Sequence, residues 1–372
     1  MNSSIILEVS VSGVPQRVSV GRILMLHTTK LHYIIFSLLV YAFSLMGQFN
    51  PDSLRSHLPS LADWTPAPEI TTSAYHSLYG LDATGIRPVM GTFTSDSFMC
   101  VGQCFIPDTA TGTVFSLHGF LDHTGTLVNG ITACIGEGWA VAAMDLPGHG
   151  LSGGERGAIN DFGEYAAAFN RFFDLCSPRL PRPFVFVGHS TGCAVGLEWL
   201  HREQSNPFRK VIFLAPLVRG DLYHLSRFGN AVLSPFVTTL PRWFRDASHD
   251  RAFLKRFRND PLQSEKFPMR WAKAFYTWHD RIGSYGGWSL PLEIIQGSGD
   301  RVVEWRYNLP WLEKHVQGSS IVKIDGARHQ LLNESEPYRG ECLDTVRRTL
   351  HSIAGDATGG DDGVHQELNF PK

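Results

Sequence analysis

Gly188-His189-Ser190-Thr191-Gly192 follows the apolar run Phe184 to Val187 and precedes a helical stretch from Thr191 to Arg202. A serine between glycines at a strand-to-helix junction has the makings of a nucleophile elbow. The tight turn strains the serine backbone, and neighbouring positions leave no space for a Cβ. Serine attacks a carbonyl only when a base takes its proton and donors stabilise the oxyanion. His118-Gly119-Phe120, at the end of the earlier run Thr113 to Leu117, is weak as an isolated motif and takes its value from position. The backbone N–H groups of Phe120 and Thr191 are the candidate donors. The acid is expected after a later strand and the histidine after the last, in the chain order Ser, Asp, His. Gln296 to Val303 follows the strand-like Glu293 to Gln296 and supplies Asp300 on a Gly-rich turn; Gly326 to His329 follows Ile321 to Ile324 and supplies His329. Glu304 and Asp325 are fallback acids, and His279 and His315 competing histidines. Asp145-Leu146-Pro147-Gly148-His149-Gly150-Leu151-Ser152 reads as a structural turn whose polar groups tie neighbouring loops together.

These residues need elements to carry them. Val89 to Phe93 and Met99 to Ile106 look like an antiparallel hairpin. Thr113 to Leu117, Trp139 to Met144, Phe184 to Val187, Val211 to Leu214, Glu293 to Gln296 and Ile321 to Ile324 are continuous apolar runs, the pattern of buried parallel strands. Helix-like stretches separate them, among them Thr126 to Glu137 and Asp161 to Cys176, the latter opened by the capping pair Asp161 and Glu164. Repeated strand–helix units imply an α/β fold with a doubly wound, mostly parallel sheet. One stretch, 221–289, breaks the alternation: it is rich in aromatics with interleaved Arg and Lys, and reads as an inserted helical cap. The expected organisation is a leader and linker over 1–60, a core over 61–220 and 290–354 interrupted by the 221–289 cap, and a disordered tail over 355–372. Within this scheme Gln48 to Glu69, with four prolines, reads as an extended linker.

With those blocks in place the chain resembles the monoacylglycerol lipase, lysophospholipase and serine aminopeptidase-like group of the α/β-hydrolase fold. The resemblance spans roughly Pro88 to Ile353 and rests on HGFLDHTG at His118, DLPGHGLSGGERG at Asp145, GHSTG at Gly188, GSGDRVV at Gly297 and GARHQLLNE at Gly326, in the family's order. It implies Ser190 as nucleophile, His329 as general base, Asp300 as its orienting partner, Phe120 and Thr191 as oxyanion donors, and the insert as a lid over an acyl pocket. It implies no metal or organic cofactor. Thr191 stands where many relatives carry an apolar residue; only its backbone N–H is required.

The formal net charge of -2 gives no reason to expect nucleic acid as a partner. The six cysteines form no CxxC pair and no zinc-like spacing, and read as small core residues. Leu31 to Met46 is almost wholly apolar and uncharged, with Arg17, Arg22 and Lys30 ahead of it. That is the arrangement of a signal sequence or of an N-in membrane anchor, and either sets the catalytic domain outside the cytoplasm. The expected substrate is a small lipid or ester, a monoacylglycerol or lysophospholipid. The alternatives are a proline-type aminopeptidase, which needs a cap carboxylate such as Asp250, Glu265 or Asp280, and a non-catalytic binding protein of the same fold.

Overall fold

Eight runs of five to eight residues form one sheet: β1 (Val89–Ser95), β2 (Phe98–Phe105), β3 (Thr113–Leu117), β4 (Ala140–Asp145), β5 (Phe184–His189), β6 (Phe208–Leu214), β7 (Leu292–Gly297) and β8 (Ser320–Ile324). Their order across the sheet is β1-β2-β4-β3-β5-β6-β7-β8. β2 pairs antiparallel with β1 and β4, and every pairing from β4 to β8 is parallel. Every residue of β3, β4 and β5 is buried, which is why these runs lack the alternation of a half-exposed strand. The computed structural model describes residues 49–285 and 287–357, with the backbone of 6–11, 14–19 and 366–367. Two compact units divide the chain, 1–50 and 51–372. In the first, the backbones of Ile6–Val11 and Val14–Ser19 pair antiparallel. The apolar run at 31–46 lies outside the described residues, as does most of the tail.

Among the described residues the helices are α1 (Pro51–His57), α2 (Glu69–Tyr79), α3 (Val128–Gly136), α4 (Phe162–Cys176), α5 (Thr191–Glu203), α6 (Tyr223–Leu233), α7 (Arg251–Arg258), α8 (Met269–Ile282), α9 (Trp305–His315) and α10 (Tyr338–Ala357). α4 begins at the expected cap: Asp161 accepts from the Gly163 N–H at 2.7 Å, and Glu164 reaches back to the Asn160 N–H at 3.0 Å. α10 runs to Ala357, three residues into the stretch expected to be tail.

The segment 49–69 differs from an extended linker. It forms α1 and a 3₁₀ turn at Leu61–Asp63, and buries Leu54, Leu58, Leu61 and Ala67. The Thr92 N–H of the edge strand β1 donates to Pro59 O at 2.8 Å, and Pro66 bridges to Val89. Proline removes an N–H but leaves a carbonyl, so a proline-rich stretch can still cover an edge strand.

Between β6 and β7 the chain makes α6, α7, α8 and a two-stranded ladder of Thr239–Pro241 against Lys266–Pro268. Its aromatics divide into two sets. Trp271, Phe275 and Trp278 are buried, with Trp271 stacked on Phe120 at 3.8 Å and Trp278 on Phe162 at 5.0 Å. Phe228, Phe236 and Trp243 are 68%, 85% and 87% exposed. The far end of α8 is tied to the core by Arg281, which pairs with Asp161 at 2.5 Å and with the buried Glu198 at 3.1 Å.

Candidate active site

Strand register decides which loops meet. β3 and β5 are neighbours with Leu117 opposite Gly188, so the turn after each emerges side by side at the carboxyl ends of the sheet. In an open parallel sheet that rim, where strand order reverses, is where ligand-binding loops gather. Ser190 lies one residue past β5 at φ 52°, ψ −110°, outside the basins an L-residue prefers. Its N–H donates to Leu214 O at 2.9 Å, and its own carbonyl accepts from Cys193 and Leu217, which holds the strained conformation. A Cβ on Gly192 would stand 2.4 Å from Leu117 O, so only glycine lets α5 leave this close beneath β3. On the facing loop, a Cβ on Gly119 would lie 3.2 Å from the Ser190 Cβ, a measure of how tightly the two turns abut. The N–H groups of Phe120 and Thr191 donate to no other group among the described residues.

The other edge of the rim comes from β7 and β8, with Gly297 opposite Ile324. Asp300 and His329 follow on their loops, and His329 Nδ1 meets Asp300 Oδ2 at 2.7 Å. The second Asp300 oxygen accepts the Val302 N–H at 2.7 Å and the Val303 N–H at 3.2 Å. Burial by itself would raise the Asp300 carboxyl. The neighbouring His329, its hydrogen bond and the two N–H groups outweigh that and hold it below the usual carboxylate range. Asp325 instead accepts from Ser298, Glu304 does not meet His329, His279 bonds Tyr223 and Arg219, and His315 bonds Trp311 O. Ser190 Oγ and His329 Nε2 form no hydrogen bond among the described residues, to each other or to a third group.

A network of side chains outside the expected site residues ties the two edges together. His189, one residue before Ser190, donates from Nε2 to His329 O at 3.1 Å, and its ring lies 4.9 Å from that of His329. Its Nδ1 is 3.4 Å from Asp122 Oδ2, and Gln330 Nε2 donates to the same carboxylate at 3.1 Å. Burial opposes the Asp122 charge, yet His189, Gln330 and His118 hold its carboxyl at about 2. The signal in the sequence is position: Asp122, His189 and Gln330 each lie inside a motif block and within two positions of Phe120, Ser190 or His329. The turn at Asp145 has the tying role expected of it, accepting the Thr124 and Leu151 N–H groups at 2.7 Å each.

The insert docks beside this network. Asp260, past α7, accepts from His123 Nε2 at 2.9 Å and from the Tyr79 hydroxyl at 2.8 Å. Burial works against charge on His123, but Asp260, with Asp145 and Asp122 nearby, lifts it above its ordinary value; Asp260 itself is held low. Ser190 is 6% exposed and His329 4%, so both side chains are buried. An open cleft of about 810 Å³ lies beyond the acid and histidine loops, lined by Trp243, Arg245, Arg301 and Arg328, and does not include Ser190. The six cysteines are buried and unpaired, with Cys104 and Cys176 Sγ atoms 3.7 Å apart. Among the described residues no group of three His, Cys, Asp or Glu side chains could hold a metal ion.

An eight-stranded, mostly parallel sheet with flanking helices, a strained serine after β5 and a carboxylate–histidine pair after β7 and β8 together define an α/β-hydrolase. The chain belongs to the family described as serine aminopeptidase, S33 (Hydrolase_4), whose profile matches residues 108–336, and is a hydrolase by that membership. It is 31% identical over 283 residues to a caffeoylshikimate esterase of Arabidopsis thaliana, covering 68% of this chain and 81% of the relative. It is 22% identical over 238 residues to the phospholipase YtpA of Bacillus subtilis, covering 62% and 92%. Among solved structures, the monoacylglycerol lipase of Paleococcus ferrophilus superposes with a TM-score of 0.59 at 20% identity, covering 68% of this chain and 98% of that one, a likeness of fold.

Proposed function

We propose that this chain cleaves carboxylic esters through an acyl-enzyme on Ser190, acting on monoacylglycerols or lysophospholipids. One observation carries the reading. A serine with strained backbone stands beside two uncommitted N–H groups, and a histidine bound to a buried carboxylate is tied to the residue before that serine. In the first half-reaction Ser190 Oγ attacks the ester carbonyl carbon while His329 Nε2 takes its proton. Asp300, bonded to Nδ1, fixes the tautomer and offsets the imidazolium charge. The oxyanion accepts from the Phe120 and Thr191 N–H groups, each worth a factor of about 100 to 1,000 in rate. The alcohol leaves with the proton from His329. Water, deprotonated by the same nitrogen, then frees the acid and restores Ser190. The serine–histidine hydrogen bond, unformed here, closes on substrate, as catalytic contacts of unliganded sites often do.

A lipid substrate is supported by relatives that are a phospholipase and a monoacylglycerol lipase, and by the apolar residues Leu225, Phe228 and Phe236 facing solvent on and after α6. The aminopeptidase reading gains less: Asp250 caps α7, Asp280 is paired with Arg227 at 2.5 Å, and Glu265 is exposed. We also propose, on sequence grounds alone, that 31–46 directs the catalytic unit to or across a membrane. Among the described residues no helix is long and apolar enough to span one. Hydrolysis of p-nitrophenyl esters of increasing chain length, set against proline p-nitroanilide, tests the reaction class. Turnover of esters lost in Ser190→Ala is expected; turnover of the anilide alone contradicts a lipid esterase.

A further inference from the structure

Arg242 stands one residue past the ladder strand Thr239–Pro241, and its N–H donates to Glu265 O at 2.8 Å, which extends that ladder. On the facing strand Phe267 packs edge-on against Phe120 at 5.7 Å, so the ladder lies on the residue whose N–H is a candidate oxyanion donor. The Arg242 guanidinium is steadied by the ring faces of Phe244 at 4.3 Å and Phe257 at 5.2 Å. Its Nη1 donates to the Gln263 side-chain oxygen and, at 3.3 Å, to Ser264 O. Among the described residues Nε and Nη2 make no hydrogen bond and no carboxylate lies within ion-pair distance. Burial draws the guanidinium down to about 10, against the pull of Asp122 and Asp260. Both of those carboxylates are committed, Asp122 to His189 and Gln330, and Asp260 to His123 and Tyr79.

Gln263 adds an independent observation. Arg242 has only donors to offer, so the Gln263 oxygen must be the atom facing it, and the amide orientation is fixed by that contact. Its Nε2 group is then left buried without an acceptor. A partly desolvated cation with half its donor fork unused, beside a buried amide donor without an acceptor among the described residues, is a costly arrangement. It fits a ligand group that is anionic and rich in acceptors, and a guanidinium fork matches phosphate oxygens in particular.

We infer that Arg242 and Gln263 form a subsite for the phosphate of the ester's head group, which makes the substrate a lysophospholipid in preference to a neutral monoacylglycerol. The inference rests on the ester-hydrolase reading and sharpens it. The test is the ratio of kcat/KM for 1-oleoyl-lysophosphatidylglycerol to that for 1-oleoylglycerol, measured on the full chain. Arg242→Gln lowers that ratio by about tenfold or more, chiefly through KM, because a charge-assisted contact is lost for one substrate only. Arg242→Lys, which keeps the charge without the fork, recovers part of it and guards against misfolding of the first variant. A ratio within twofold of wild type in both variants overturns the subsite. Titration of sn-glycerol 3-phosphate into Ser190→Ala, followed by calorimetry, separates the subsite from the chemistry. Saturable binding that disappears in the double variant with Arg242→Gln upholds the subsite even if no ester is turned over, and heat unchanged by that substitution overturns it.

Discussion

At Ser190 the backbone sits at φ 52°, ψ −110°, and three backbone hydrogen bonds through Leu214, Cys193 and Leu217 keep it there. The elbow was readable in the sequence because strand, glycines and helix are contiguous, so each constrains the next. The pairing of Asp300 with His329 was readable because each lies on the loop that follows a strand. The contacts of Asp122 were not, since His189 and Gln330 reach it from segments 67 and 208 positions away, and nothing in local pattern encodes such a meeting. Asp300 makes the sharpest residue-scale prediction. Its carboxylate accepts from Nδ1 of His329, and Asp300→Asn presents an amide that favours the wrong tautomer. The expected loss in kcat is about 10⁴-fold, by analogy with the serine-protease triad. Steady-state kinetics on a p-nitrophenyl ester checks it, and a loss under tenfold would mean Asp300 does not orient the base.

Among the elements, the central strands were legible because burial on both faces leaves an unbroken apolar run. The insert was legible only as an interruption, and its aromatics resolve into two sets that composition alone cannot separate. Trp271 belongs to the inner set, stacked at 3.8 Å on Phe120 and at 5.5 Å on Phe275. Trp271→Ala removes a buried ring from that contact and is expected to cost about 3 kcal/mol in urea unfolding, within the range for large-to-small core changes. Because Phe120 loses its neighbour, kcat should fall as well; stability loss with full activity would show that α8 does not support the oxyanion loop. The segment 49–69 departs from the expected linker for a physical reason. Proline density reports restricted φ and missing donors, but Pro59 acts here through its carbonyl, which composition does not reveal.

Taken over the whole molecule, the buried carboxylates set its response to acid. Asp122 falls from an ordinary 3.8 to about 2, and Asp260 and Asp300 are lowered too. A carboxyl depressed in the folded state stabilises it above the unfolded pKa, and that stability is lost as pH falls through the folded value. Asp122 alone is then worth about 2 kcal/mol at neutral pH, lost between about pH 4 and pH 2. His123 is raised, so its share is present at low pH and fades as pH climbs through its folded value. Urea melts from pH 7 to pH 3 should lose stability toward acid, and Asp122→Asn should flatten that loss; a slope unchanged in the variant would contradict the assignment. For the leader, full-length protein expressed with 31–46 intact should either resist carbonate extraction from membranes or emerge shortened outside the cytoplasm. Unprocessed protein in the soluble fraction would remove the membrane role. The most direct test of the whole account is covalent. A fluorophosphonate probe, followed by peptide mass spectrometry, should place its adduct on Ser190, with labelling abolished in Ser190→Ala and slowed in His329→Ala. An adduct on another residue, or labelling that persists in Ser190→Ala, would contradict a nucleophile assembled at the rim of this sheet.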